Sequence, residues 1–157
     1  MNVTILMIGR TSDNYLLQGI AEFTGRLKHY LKLNWVELPD LKERKSLTAQ
    51  QVREKETELL LKKLPARSVV VLLDESGREY TSVGFAEFIT KQANSGTREL
   101  VFIIGGAYGA SEELKKRADT MLSLSRMTFT HQLIRLIFAE QLYRAMTITR
   151  NEPYHNE

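Results

Sequence analysis

The chain has 157 residues, of which 43% are hydrophobic and 26% charged, and this length and composition are ordinary for one folded domain over 1–157. It has no cysteine, three scattered histidines and no apolar run long enough to span a bilayer, so disulfides and thiol nucleophiles are excluded and we expect neither a metal site nor a membrane partner. The net charge is +3, but 1–67 carry twelve basic against eight acidic residues, so the basic excess lies in the first part of the chain.

Strands and helices alternate along the first half of the chain. The apolar segment VTILMI (3–8) predicts a strand, and apolar residues at helical spacing predict a helix over 15–31. The segment WVEL (35–38) predicts a second strand, which Pro39 ends. A basic loop then leads to a predicted helix over 48–64.

The second half continues the alternation. The predicted elements are, in order, a strand over 68–73, a turn at DESG, a helix over 82–94, a strand over 99–104, a glycine loop over 105–111, a short helix in EELKKRAD, a strand over 120–125 and a last helix capped by Thr130. This order predicts an α/β fold with a mostly parallel sheet flanked by helices.

Three loops follow the carboxyl ends of predicted strands, at 74–77, 105–111 and 126–130. In open parallel sheets, ligands bind outside these ends. If the three strands are neighbours, the loops meet around one pocket.

The loop sequence IIGGAYG has two interpretations. Its glycines would let the backbone approach a flat ligand, or they would only form a tight turn between a strand and a helix. The spacing matches neither phosphate-binding glycine motif, and no acidic residue follows at the distance that a dinucleotide fold requires. We therefore expect no dinucleotide cofactor.

A hydrolase triad is conceivable from Ser123 or Ser125 with His131 and Asp74. Neither serine lies in a G-x-S-x-G elbow, and both belong to a predicted strand. The sequence disfavours this chemistry.

The segment LKERKSLTAQQVREKETELLLKKLPAR holds most of the basic excess. Such a surface attracts polyphosphate, which makes RNA a candidate partner. A solvated helix surface is the more common explanation of the same pattern.

The last helix has more apolar surface than packing on one side requires, which favours contact with a second copy of the chain. Its polar residues remain ambiguous. Glu140 and Arg144 are four residues apart and can simply pair, whereas Arg135 and Arg144 can instead hold phosphates. The terminal EPYHNE is either a frayed end or a docked tail, and Tyr154 and His155 are both able to stack on a base.

Four segments together carry a more specific signal: LLDESG, FIIGGAYG, LSLSRMTFTHQLIRLIFAEQLYRAMTI and the terminal PYH. In order and spacing, and over essentially the whole chain, they resemble the bacterial 23S rRNA pseudouridine N3-methyltransferases of the SPOUT superfamily. The resemblance implies a C-terminal trefoil knot, a homodimer and the cofactor S-adenosylmethionine. It also implies methyl transfer to N3 of a pseudouridine in 23S rRNA, with the assembled 70S ribosome as the partner, and a cytoplasmic location.

The resemblance also implies roles for single residues. The expected cofactor-binding residues are Leu73, Gly105, Gly106, Leu124, Ser125, Arg126, Met127, Thr128 and Phe129. The expected catalytic residues are Arg144, His155, Tyr154 and Arg135, with the tail reaching the partner's pocket. An arginine would orient phosphate or a developing oxyanion, and Tyr154 or His155 would assist the proton or stack on the base. A basic residue usually follows PYH in this family, but this chain has Asn156.

Two other functions remain open at this point. Related knotted enzymes share the fold and act on other RNAs such as tRNA, and a ribosome-associated binding protein on the same fold would need no catalysis.

Overall fold

The computed structural model describes residues 1–156 of the chain. In chain order, the elements are β1 (Asn2–Ile8), α1 (Asn14–Leu27), β2 (Lys32–Leu38), α2 (Ala49–Lys63), β3 (Val69–Glu79), α3 (Ser82–Asn94), β4 (Glu99–Ile104), α4 (Glu112–Arg117), β5 (Thr120–Ser123) and α5 (Leu133–Thr149). A short 3-10 helix, Arg44–Ser46, precedes α2. None of the helices within 1–156 is both long enough and apolar enough to cross a membrane.

The five strands form one sheet in the order β2-β1-β4-β3-β5, and every pair of neighbours is parallel. The prediction of an α/β fold with a parallel sheet is therefore confirmed. The strands β4, β3 and β5 are neighbours, so the three loops that follow them leave the same edge of the sheet.

Helices cover both faces of the sheet. Ile5 and Met7 of β1 pack in the layer with α1, α3 and α5, whereas Leu6 and Ile8 pack in the layer with α2 and α4. Successive side chains of a strand point to opposite faces, so a strand covered on both sides must be apolar throughout. This explains the unbroken apolar run of β1.

Several boundaries differ from the predictions. The helix α1 ends at Leu27 rather than at residue 31, because a turn over 28–30 leads into a longer β2 that pairs with β1 along its whole length. At the start of α5, the Thr130 hydroxyl accepts a hydrogen bond from the Leu133 amide at 3.1 Å, as a capping residue does, although the helix itself begins at Leu133.

The predicted turn at DESG lies within β3. Leu122 of β5 pairs with both Leu73 and Arg78, so 74–77 arch outward between two paired parts of the strand. A Cβ on Gly77 would lie 2.6 Å from the backbone carbonyl carbon of Met121, so only glycine lets the two strands approach this closely. The trefoil knot that the resemblance implies stays a prediction.

Candidate functional site

The loops after β3, β4 and β5 enclose a cleft of about 540 Å³, which we call the carboxyl-edge cleft. Its wall is formed by residues 73–75, 104–110, 122, 124–125, 127–131 and 134. The prediction that the three loops meet around one pocket is confirmed. A volume of this size is typical of small-molecule sites, which range over roughly 300–1,000 Å³.

Most of the cofactor-binding candidates lie in this wall. Eight line the cleft: Leu73, Gly105, Gly106, Leu124, Ser125, Met127, Thr128 and Phe129. Arg126 does not, since its side chain is 87% exposed and its Nε lies 3.7 Å from the Glu79 carboxylate. Any contribution of Arg126 to the cleft therefore comes from its backbone position.

Two glycines of the loop after β4, Gly106 and Gly109, occupy different structural environments. Gly109 has a φ of 76° and donates its amide to the Gly106 carbonyl at 3.0 Å, which closes a tight turn. A Cβ on Gly106 would lie 2.8 Å from the carboxyl carbon of Glu56. The carboxyl group of Glu56 therefore fills the space beside Gly106, a contact that the sequence pattern did not reveal.

Glu56 is an unusual residue of α2 because its side chain is buried. It is only 3% exposed, and its Oε2 atom has no hydrogen-bond partner among the described residues. Burial raises the pKa of Glu56. The positive charge of Arg44 opposes this shift, and the negative charge of Asp40 adds to it. A carboxyl group that resists ionisation therefore supports the loop.

Asp74 provides negative charge in the carboxyl-edge cleft. Burial alone would raise its pKa, but hydrogen bonds from Ser76 and the charge of Lys115, 3.5 Å away, outweigh burial and lower it. Asp74 is therefore ionised at neutral pH, and in the wall of the cleft its charge is paired with that of Lys115.

His131 also lines the cleft, although the sequence assigned it no role there. Burial, followed by the charges of Arg135 and Arg44, lowers the pKa of His131. Its imidazole is consequently neutral near pH 7, with one ring nitrogen able to accept a proton. The signal for this role was its position just after β5, which becomes informative only when the neighbouring strands are known.

Arg135 does not fit the predicted contact with substrate phosphate. Its side chain is fully buried and donates to the carbonyls of Ile8, Gly9 and His131, at 2.6, 2.9 and 3.0 Å, and to the Thr11 hydroxyl at 2.9 Å. These contacts tie the loop after β1 to the start of α5. The guanidinium is enclosed by the protein core and therefore has no surface that a phosphate could reach.

The other three catalytic candidates form one group with Glu140, which we call the tail cluster: Glu140, Arg144, Tyr154 and His155. Oε1 of Glu140 accepts from Nε and Nη2 of Arg144, at 3.1 and 2.5 Å, and from the Tyr154 hydroxyl at 3.0 Å. The guanidinium of Arg144 lies 4.9 Å from the centroid of the Tyr154 ring, and its Nη1 lies 3.4 Å from Nδ1 of His155. The terminal segment is therefore docked on α5.

The tail cluster and the carboxyl-edge cleft are separate on one chain. No residue of the cluster lines the cleft. Burial, followed by the hydrogen bond to Glu140, raises the pKa of Tyr154, so its phenol remains a hydrogen-bond donor at neutral pH.

The geometry gives no support to the hydrolase triad. The Ser123 hydroxyl donates to the Ser125 carbonyl at 3.0 Å, and the Ser125 hydroxyl accepts from the Met127 amide at 2.9 Å. Both serines thus stabilise the turn after β5. Within the described part of the chain, no three His, Cys, Asp or Glu side chains are arranged to hold a metal ion.

Comparison with known proteins adds a family to this geometry. Residues 1–155 match the family described as "Predicted SPOUT methyltransferase". The ribosomal RNA large subunit methyltransferase H of Flavobacterium johnsoniae is 49% identical over 157 residues, which cover 100% of both chains. The protein of the same name from Trichlorobacter lovleyi is 49% identical over 156 residues, which cover 99% of this chain and 100% of the relative.

Solved structures share the fold at low sequence identity. A probable methyltransferase from Bordetella pertussis Tohama I has a TM-score of 0.56 and 10% identity, with 92% of this chain and 96% of that chain covered. A probable methylase family protein from Haemophilus influenzae Rd KW20 has a TM-score of 0.55 and 14% identity, with 99% and 71% covered. The full-length match to the family and the identity to its relatives show that this chain belongs to the SPOUT methyltransferase family.

Proposed function

We propose that this chain transfers a methyl group from S-adenosylmethionine to N3 of a pseudouridine in the 23S rRNA of the assembled 70S ribosome. The observation that carries the proposal is identity near one half, over the full length, to relatives named ribosomal RNA large subunit methyltransferase H. The carboxyl-edge cleft adds a site of suitable size at the edge of the sheet where α/β folds bind ligands. Such an enzyme works in the cytoplasm, where ribosomes are.

The residues of the carboxyl-edge cleft fit this cofactor. Backbone of the loops at 105–106 and 124–129 would hold its adenine and methionine parts, as the family resemblance implies. The wall of the same cleft holds the ionised carboxylate of Asp74, which is paired with Lys115 at 3.5 Å. When bound, S-adenosylmethionine supplies an electrophilic methyl group on a sulfonium sulfur.

The remaining task of the chain is to position N3 and to accept its proton. Transfer to N3 replaces the imide hydrogen, so a base must take that proton or the developing anion must be stabilised. Arg144 is suited to the anion, because its guanidinium is half-buried and already held by Glu140. His155 and His131 are the candidate bases, whereas the raised pKa of Tyr154 makes it a donor to the base or its neighbour.

A homodimer would bring the two halves of this machinery together. The helix α5 already packs against α1 and α3 of its own chain. Three of its apolar residues nevertheless remain partly exposed: Leu133, Leu136 and Ile137. Covering them with a second copy buries apolar surface. It would also allow the tail cluster of one protomer to complete the cleft of the other.

Methyl transfer to defined particles tests the proposed reaction. S-[methyl-³H]adenosylmethionine is supplied with 70S ribosomes, isolated 50S subunits or free tRNA, all from cells that lack this protein. We expect label on one pseudouridine of 23S rRNA in 70S particles. Label on tRNA alone, or on none of the three while the cofactor still binds, would contradict the proposed substrate.

The tail cluster is tested by single-turnover methylation of 70S ribosomes. We expect Arg144→Gln and His155→Gln each to slow transfer by on the order of 100-fold, because each removes charge stabilisation or a proton acceptor. The controls are Arg150→Gln and His29→Gln, which alter an exposed arginine and an exposed histidine. Wild-type rates in both tail-cluster variants would remove these residues from the mechanism.

A further inference from the structure

An aromatic and cationic patch lies beside the carboxyl-edge cleft. The Tyr108 side chain belongs to the cleft wall and is nevertheless 49% exposed. The guanidinium carbon of Arg44 lies 5.3 Å from the centroid of its ring, and Nη1 of Arg53 donates to the Tyr108 carbonyl at 3.4 Å. We call these three residues the Tyr108 patch.

Large apolar side chains are left open at this cleft. Five are exposed among the described residues, and two of them, Tyr108 and Met127, belong to its wall. Single exposed apolar residues are common on protein surfaces, but two in the wall of one cleft of small-molecule size make this wall a candidate surface for a ligand.

We propose that the Tyr108 patch receives single-stranded RNA next to the target nucleotide. In this arrangement Tyr108 stacks on a base, while Arg44 and Arg53 contact the flanking phosphates. The proposal rests on the proposed rRNA methylation and deepens it by assigning the substrate side of the cleft. Stacking on tyrosine combined with arginine contacts to the backbone is the general means by which proteins hold unpaired nucleotides.

The charge around the patch favours a polyanion. Residues 42–55 carry five basic and two acidic side chains, a net charge of +3. Among the described residues, Arg44 has one salt-bridge partner, the Asp40 carboxylate at 4.0 Å, and the Asp40 side chain is 59% exposed. The charge of Arg44 also acts on the buried carboxyl group of Glu56. An exposed ion pair such as that with Asp40 contributes little, so a phosphate can replace Asp40 at small cost.

The far side of Tyr108 has the opposite character. A second cleft of about 600 Å³ begins there, and its wall holds six acidic residues, Glu54, Glu58, Asp74, Glu75, Glu112 and Glu113, against the two basic residues Arg53 and Lys115. The acids outnumber the bases and repel phosphate, so the RNA backbone is expected on the Arg44 side of the tyrosine ring, with Arg53 at the border between the two sides.

The helix α2, which carries Arg53 of the patch, is packed against the glycine loop. The Thr57 and Ser111 hydroxyls are 2.7 Å apart in a buried hydrogen bond between α2 and the end of the glycine loop. Glu56, in the preceding position, packs against Gly106 of the same loop. Arg53 therefore lies in a fixed position relative to the cleft, which lowers the entropic cost of binding.

The test measures binding and methylation of 70S ribosomes by Arg44→Gln, Arg53→Gln, Tyr108→Ala and Tyr108→Phe. We expect Tyr108→Ala to raise the KM for ribosomes by on the order of tenfold, and Tyr108→Phe to keep it, because phenylalanine still stacks. Each arginine variant should weaken ribosome pelleting and reduce the slope of log Kd against log salt by about 1, the sign of one lost phosphate contact. Lys91→Gln, on α3 at the opposite face of the sheet, is the matched charge control.

The outcomes separate this proposal from the one on which it rests. Failure of the wild-type chain to methylate any ribosomal particle overturns the proposed function. If the wild type methylates but the patch variants keep its KM and salt slope, the patch is not an RNA contact. If the variants instead shift the sedimentation coefficient from dimer to monomer, a second copy of the chain occupies the patch, and the RNA assignment is wrong.

Discussion

Gly106 and Glu56 depend on each other at the base of the carboxyl-edge cleft. The carboxyl group of Glu56 occupies the space that a Cβ on Gly106 would need. The sequence pattern GGAYG suggested close approach of a ligand, but the near neighbour of Gly106 is a side chain of α2. A larger residue at 106 would therefore require the side chain of Glu56 to move.

The pH dependence of stability tests the state of Glu56. Burial raises the pKa of Glu56 in the folded chain. In the pH window between the ordinary carboxyl pKa and this raised pKa, the folded chain keeps a proton that the unfolded chain has lost. Stability from this group is therefore present at low pH and is lost as pH rises through the window. We expect Glu56→Gln, which cannot ionise, to gain stability relative to wild type from pH 4 to pH 8 in urea unfolding.

A matched variant separates this effect from a general change of charge on α2. Glu58 lies two residues further along the helix and is exposed, so Glu58→Gln removes the same charge without changing the packing against the loop. If Glu56→Gln and Glu58→Gln follow the same course with pH, the buried carboxyl is not the cause.

At the scale of elements, Arg135 connects α5 to the loop after β1. We expect Arg135→Ala to lower the free energy of unfolding by about 3–5 kcal/mol, because three carbonyls and one hydroxyl lose their donor in the core. Arg135→Lys should lose less, since a lysine keeps the charge and some of the donors. Urea unfolding measures both.

Arg150→Ala provides the comparison for an exposed arginine, with an expected loss below about 1 kcal/mol. The opposite pattern would be informative. If Arg135→Ala unfolds like wild type but binds 70S ribosomes weakly, the phosphate contact predicted from the sequence is restored and the structural role is refuted.

The contrast between Arg135 and Leu72 explains how far the sequence could predict this structure. Leu72 belongs to a short apolar run rich in valine between Pro65 and the DESG turn, and this local length and composition predict a buried strand. Arg135 is buried by partners more than 120 positions away, which no local pattern contains. The strands, most helices and the meeting of the three loops were therefore predictable, whereas the roles of Glu56, His131 and Arg135 depend on distant contacts.

At the scale of the whole molecule, the separation of the two functional groups becomes important. The tail cluster is docked on α5 of its own chain, yet it contributes nothing to the wall of the cleft on that chain. In the proposed reaction, both must meet the same nucleotide. A twofold-symmetric dimer would satisfy this need twice, since each tail would then face the cleft of the other protomer.

Heterodimers with one defect in each protomer test this arrangement. Ala107 lies exposed in the cleft wall, so Ala107→Trp should fill the cleft and abolish cofactor binding, whereas Arg144→Ala disables only the tail cluster. The two variants are expressed together with different affinity tags and purified over both. We expect this heterodimer to methylate 70S ribosomes at about half the wild-type rate, because one of its two symmetric sites joins an intact cleft to an intact tail.

The reciprocal heterodimer reverses the expectation. It pairs a wild-type protomer with one that carries both Ala107→Trp and Arg144→Ala. If each site combines two protomers, both sites contain one defect and the particle is inactive. If each site belongs to a single chain, the wild-type protomer alone retains about half the activity, and the first heterodimer has none. The two particles carry the same substitutions, so a difference in rate between them depends only on which protomer supplies the tail.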